Sequence, residues 1–165
     1  MTRSLLSLVA LLLGASPWLA GCTAQHTPYI TYEEQMPLSA TAVFLAMDQE
    51  AQTYLTATIK KMDGREMPCL QNGCPYWVRV KPGTHHFVID YRSNIALKAG
   101  FVTLDVAAPE VTVRDMKPRR VYKARYKQVG DKVEVTIIDL GENPNVCLDF
   151  SYMGCHRASF EDKKP

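Results

Sequence analysis

The chain has 165 residues, 47% of them hydrophobic and 22% charged, with 19 lysines and arginines against 17 aspartates and glutamates. That length supports one domain with its own core and is short for two. So even a charge balance gives no electrostatic case for nucleic acid or any other acidic polymer as a partner.

The first element is the leader. Arg3 opens it, an apolar run follows over residues 5–13, and small residues precede Cys22. These are the three parts of a secretory signal. A membrane-spanning anchor is the alternative, but Gly14, Ser16 and Pro17 interrupt a run already short of the ~20 apolar residues a spanning helix needs. The run Leu19-Ala20-Gly21-Cys22 resembles the lipobox of bacterial lipoproteins. The resemblance implies cleavage that removes residues 1–21. It also implies a diacylglycerol thioether on Cys22, an acyl chain on the new amino terminus, and no other cofactor. Each buried methylene contributes about 0.8 kcal/mol, so more than one chain makes attachment lasting. Thr23 stands where lipoproteins kept at an inner membrane carry Asp, which implies the outer membrane, with the protein facing the periplasm. Residues 22–38, mixed polar with Pro28 and Pro37 and without a sustained period, read as a tether.

From Thr41 onward, short β-rich runs alternate with turn signals. Strands are expected at 42–47, 54–62, 76–81, 85–91, 101–106, 110–114, 121–129 and 132–140. Eight strands of this length call for a sandwich or small barrel over residues 39–142, because a single open sheet would leave one apolar face wet. Asp63-Gly64 reads as a tight turn into a short return strand that Pro68 ends. Cys69 and Cys74 bracket a turn-rich loop, Leu-Gln-Asn-Gly. Lys81-Pro82-Gly83-Thr84 is a type II turn signal. Such a turn matches hairpin twist poorly, so the strands on either side are expected in different sheets. Gly130-Asp131 is a two-residue hairpin turn that sets a register: Lys127 opposite Glu134, Tyr126 opposite Val135, Ala124 opposite Ile137 and Tyr122 opposite Asp139. The reverse face, with Lys123, Arg125 and Lys127, reads as solvated.

The segment from Val78 to Tyr91, Val-Arg-Val-Lys-Pro-Gly-Thr-His-His-Phe-Val-Ile-Asp-Tyr, is similar to the Pro-Gly-x-His turn and strand of PEGA-like domains in bacterial envelope proteins. Asp63-Gly64, Val121-Tyr122 and residues 133–139 fit the same pattern. The resemblance implies an all-β fold, an antiparallel immunoglobulin-like or transthyretin-like β-sandwich used as scaffold or adaptor, and carries no active site. Residues 143–165 read as a disulfide-closed C-terminal appendix. Its Leu148, Phe150, Tyr152, Met153 and Phe160 are expected in part against the sheet, covering an edge or plugging an end, with a frayed terminus from Asp162.

With Cys22 assigned to lipid, Cys69, Cys74, Cys147 and Cys155 form an even set in an oxidising compartment and read as disulfides. Three pairings are possible. Close spacing favours Cys69 with Cys74 and Cys147 with Cys155, while proximity of the loops in the fold could pair them across. Their spacings do not suit a metal site. His85 and His86 adjoin on a strand and point to opposite faces, so they do not chelate one ion. No nucleophile elbow, zinc helix or phosphate loop is present. The expected function is therefore that of a non-enzymatic, membrane-anchored adaptor or assembly subunit that binds another envelope protein. The alternative is a module that binds peptidoglycan or inhibits a cell-wall hydrolase, with Trp77 and Tyr76 or the Cys69 loop as its platform. Phe150 and Tyr152 are the candidate contact residues of the appendix.

Overall fold

A computed structural model of the chain describes residues 29–30, 36–47, 55–69, 74–97, 100–130, 132–151 and 154–162, with backbone alone at 29–30, 55–56, 93–97, 100–106, 149–151, 154 and 156. Calls on Cys22, Tyr152 and the leader lie outside these residues. The strands are β1 (Tyr29–Ile30), β2 (Ala42–Leu45), β3 (Leu55–Met62), β4 (Arg65–Glu66), β5 (Trp77–Val80), β6 (Gly83–Leu97), β7 (Gly100–Ala107), β8 (Glu110–Met116), β9 (Arg120–Val129), β10 (Lys132–Glu142), β11 (Cys147–Ser151) and β12 (Gly154–Arg157). One 3-10 turn spans Leu38–Ala40. All eight expected strands are present.

The strands form two packed sheets and a separate hairpin. The first sheet runs β1-β5-β2-β9-β10 and the second β4-β3-β6, with β7 and β8 sharing the far edge of β6; β11 pairs with β12. The second sheet is antiparallel throughout. The first is mixed, because β1 pairs parallel with β5 and β2 parallel with β9. Between the sheets lies the main core, where Phe44, Val78, Val80, Tyr122 and Ala124 meet Ile59, Phe87, Ile89, Tyr91 and Val113. Phe44 stacks on Phe87 with ring centroids 4.0 Å apart, and Tyr91 lies 4.6 Å from Tyr126.

A second core covers the opposite face of the first sheet. Val43, Leu45, Trp77 and Val121 pack there against Leu148 and Phe160 of the appendix. This explains the sequences of β2 and β5, Ala-Val-Phe-Leu and Trp-Val-Arg-Val, which are buried at every position rather than at alternate ones. A strand buried on both faces needs apolar residues on both. The appendix thus packs on the sheet as expected but over a face rather than an edge or an end, because Val43, Leu45, Trp77 and Val121 line that face with apolar side chains.

The turns follow their residue chemistry. Asp63 (φ 48°) and Gly64 (φ 77°) both take the left-handed conformation of a two-residue hairpin turn, and β4 returns along β3 as expected. Gly83 has φ 136°, and the chain crosses there from the first sheet to the second, as the twist mismatch requires. The β9–β10 register is the one expected: Lys127 faces Glu134, Tyr126 faces Val135, Ala124 faces Ile137 and Tyr122 faces Asp139. At the crossing from β8 to β9, the Tyr122 hydroxyl accepts the Lys117 N–H at 2.9 Å. This corner bond between tyrosine and upstream backbone is common in sandwich folds.

Three local expectations need correction. Residues 29–30 of the expected tether add a strand to the first sheet. Asp162 is not frayed: its carboxylate accepts the Leu38 N–H at 2.5 Å and the Ser39 hydroxyl at 2.9 Å, capping the 3-10 turn. Lys123, expected in solvent with Arg125 and Lys127, is only 5% exposed because it shares the appendix-covered face with Leu45, its β2 neighbour.

Candidate functional site

The candidate contact residues separate in the fold. Trp77 is 5% exposed and belongs to the core beneath the appendix, with half-buried Tyr76 packed against the same cluster. A surface platform built on Trp77 is therefore corrected. The period-2 alternation places Trp77 on the same face as Arg79, and the appendix closes over both. Phe150 stands on β11 opposite Cys155. The disulfides join Cys69 to Cys74 and Cys147 to Cys155, the pairing that close spacing favours. The first closes the loop before β5, where the Pro75 carbonyl accepts the Ile59 N–H at 2.8 Å. The second closes the β11–β12 hairpin.

Two polar clusters are built into the fold. Arg79, 6% exposed, donates from Nη1 to Thr41 Oγ1 and from Nη2 to the Ser159 carbonyl, each at 2.8 Å, with its guanidinium 5.1 Å from the Phe160 ring centroid. With Asp162, it ties the N-terminal turn to the C-terminal segment. Arg79→Met keeps an apolar stem but leaves the Ser159 carbonyl and Thr41 Oγ1 without the guanidinium as donor, while the Thr41 hydroxyl still donates to the Leu38 carbonyl. The expected loss is about 1–3 kcal/mol of stability, with faster amide exchange confined first to residues 158–162.

The second cluster sits at the β3–β4 turn. Asp63 Oδ2 lies 2.7 Å from His85 Nδ1, while Asp63 Oδ1 accepts the His86 N–H at 2.8 Å. His85 Nε2 lies 2.8 Å from the Lys81 carbonyl, so both ring nitrogens face acceptors supplied by the fold. The side chain of His86 meets Thr112 Oγ1 at 3.0 Å on the outer face. The two histidines do diverge, as strand alternation requires. Among the described residues no group of three or more His, Cys, Asp or Glu gathers as a metal site. The Asp63–His85 pair clamps two turns together, and its ring nitrogens are already occupied.

The β9–β10 ribbon is an accessible element with binding chemistry, Arg125, Lys127, Gln128 and Val129 being exposed along its distal half. β2 ends opposite Lys123, while β9 continues to Val129. Arg120 anchors the base through Nε bonds to both Asp139 oxygens, at 3.0 and 2.9 Å, and that hydrogen bond is the main cause raising the Arg120 pKa above its ordinary value. β10 closes one side of the first sheet, and among the described residues no strand pairs with its outer edge. A two-residue turn makes Val129–Lys132 a hydrogen-bonded pair, so the backbone groups of Val133, Val135, Ile137 and Asp139 point outward along that edge. Sequence reasoning supplied this register but not the edge, since strand order carries no local signal.

No family model, curated protein or solved structure matches the chain.

Proposed function

We propose that this chain is an envelope lipoprotein, held to the outer membrane through Cys22 and facing the periplasm, whose sandwich is a non-enzymatic adaptor for another envelope protein. The observation that carries the reading is the outer edge of β10, with which no strand pairs among the described residues, on a disulfide-stapled sandwich, joined to the lipobox-like Leu19-Ala20-Gly21-Cys22. An edge strand eleven residues long offers a row of outward N–H and C=O groups to an extended partner segment, and β-strand addition uses such a row. The polar clusters at Arg79 and Asp63 have their bonding capacity taken up within the fold, which supports binding rather than catalysis. Of the platforms open to the glycan-binding alternative, Trp77 is in the core and Tyr76 is half-buried against it, which leaves the Cys69 loop.

The test is crosslinking of the full-length lipoprotein in living cells, with denaturing capture and mass spectrometry. One discrete protein neighbour is expected. It should be lost with Cys22→Ala and weakened by Val133→Pro, which removes one outward N–H from an edge position where proline is tolerated. Capture of glycan fragments alone would sink the adaptor reading.

A further inference from the structure

We infer that the segment accepted by the β10 edge is an extended run of alternating apolar and acidic residues, which adds to the first sheet beside residues 132–138 as a further strand. The inference rests on the adaptor reading above and names the chemistry of the partner.

The edge is left competent to pair. Sheet edges ordinarily carry something that blunts pairing, such as brevity, proline, a bulge or a charge pointing inward. β1 and β4, at the ends of their sheets, have two residues each. β10 carries none of these devices over residues 132–138. No proline interrupts it, its register with β9 runs unbroken from Lys132 to Asp139, and the side chains it turns toward the main core are Val133, Val135 and Ile137. Beyond Asp139 the register shifts, and the Asp139 carboxylate is held by Arg120 Nε and the Gly141 N–H, which closes the usable length. β7 of the facing sheet comes alongside β10, but its register is with β6.

The bonding pattern sets the apolar half of the partner sequence. The outward N–H and C=O groups belong to Val133, Val135 and Ile137, and a residue set opposite one of them sends its side chain to the same face. That face is the one packed on the main core. All three side chains are half-buried there, in the outermost strand of the first sheet. Apolar residues at alternate positions of the added strand extend this row, whereas polar residues there would lose water without gaining a bond.

The charges set the other half. The intervening residues of the added strand stand opposite Lys132, Glu134 and Thr136. Across β9, Lys132 faces Val129, Glu134 faces Lys127 and Thr136 faces Arg125. Glu134 thus has a cation beside it already, while Arg125, Lys127 and Lys132 are all exposed on the same face of the ribbon. A carboxylate opposite Lys132 is the direct cross-strand neighbour of its ammonium. One opposite Thr136 lies two strand spacings from Arg125, about 10 Å, which a guanidinium and a glutamate span between them over the short threonine side chain. The position opposite Glu134 suits a neutral residue. The resulting order, acidic-apolar-neutral-apolar-acidic, reads the same for either strand direction. A second copy of β10 fits it poorly, because two-fold pairing sets two cationic ribbon faces side by side.

The experiment uses full-length, nitrogen-15-labelled protein in detergent micelles and three capped synthetic peptides. One is Val-Glu-Val-Thr-Val-Glu-Val, the second has lysine for glutamate, and the third, Val-Val-Glu-Glu-Thr-Val-Val, breaks the alternation. The acidic alternating peptide is expected to slow amide exchange at Val133, Val135 and Ile137 by about tenfold or more, leaving Glu134, Thr136 and Ile138, which bond to β9, unchanged. Both control peptides should bind about tenfold or more weakly, with the charge preference shrinking as salt rises. Lys132→Glu, an exposed substitution, should remove most of that preference. Binding of either control as tight as the acidic alternating peptide, an unchanged preference in Lys132→Glu, or no slowing at the three amides overturns the inference. Three amides already protected in a stable dimer without peptide would assign the edge to a second copy, which also overturns it. The capture in living cells keeps the two readings apart: a protein neighbour weakened by Val133→Pro sustains the adaptor whichever peptide binds, and the lack of one removes the adaptor reading and this inference with it.

Discussion

Phe44→Ala is expected to lower the unfolding free energy by about 3–5 kcal/mol, the range for emptying a fully buried aromatic site. Phe44 stacks on Phe87 at 4.0 Å and sits between two rigid sheets. Its strand, β2, is hydrogen-bonded on both sides, to β5 and β9, so the backbone has little freedom to collapse into the space. A domain of this size typically has 5–15 kcal/mol in total, so the variant should be marginal at body temperature. Urea unfolding followed by circular dichroism would show a midpoint shift at unchanged slope. A variant within about 0.5 kcal/mol of wild type would mean that the two sheets do not pack as described.

Trp77→Ala should cost about 3 kcal/mol or more and loosen the appendix. The indole lies in one cluster with Leu148 and Phe160 on the face opposite Phe44, so its removal weakens the apolar contact that, with the Arg79 and Asp162 bonds, holds the appendix to the first sheet. The distinguishing result is local. Amide exchange and proteolysis should accelerate in the appendix before the sandwich opens, with the Cys147–Cys155 link still holding the hairpin together. A surface ligand platform would behave oppositely, leaving the melting transition in place and changing only binding. Because the two variants probe cores on opposite faces of one sheet, their costs should add poorly: β2 supplies Phe44 to one core and Val43 and Leu45 to the other.

Much of the framework was legible in local sequence because local chemistry decides it. A Gly130-Asp131 turn admits one tight register, and alternation then assigns the residues of β9 and β10 to faces as far as Asp139, where the register shifts. Pro82-Gly83 could be read as a change of sheet because its turn geometry opposes hairpin twist. Short rings favoured the pairing of Cys69 with Cys74 and of Cys147 with Cys155 over the two crossed alternatives, and the fold has that pairing. The lipobox-like run is likewise a local signal and carries the proposed address unaided.

What lay beyond reach depends on contacts between distant segments. Trp77 in a strand looks the same whether solvent or an appendix covers it, and the appendix that does so begins about seventy residues later. Lys123 reads as a surface charge until the face it shares with Arg79 is closed. The bond from Asp162 to Leu38 crosses 124 positions and no spacing announces it. Strand order, and with it the open edge of β10, is likewise set only when the sheets assemble. Local sequence set the strands, the turns and the β9–β10 register, and favoured the disulfide pairing, because each answers to steric and hydrogen-bonding preferences within a few residues. Assembly of the sheets settles which strands are buried on both faces and which edge stays unpaired among the described residues, because these depend on how distant segments divide a limited apolar surface among themselves.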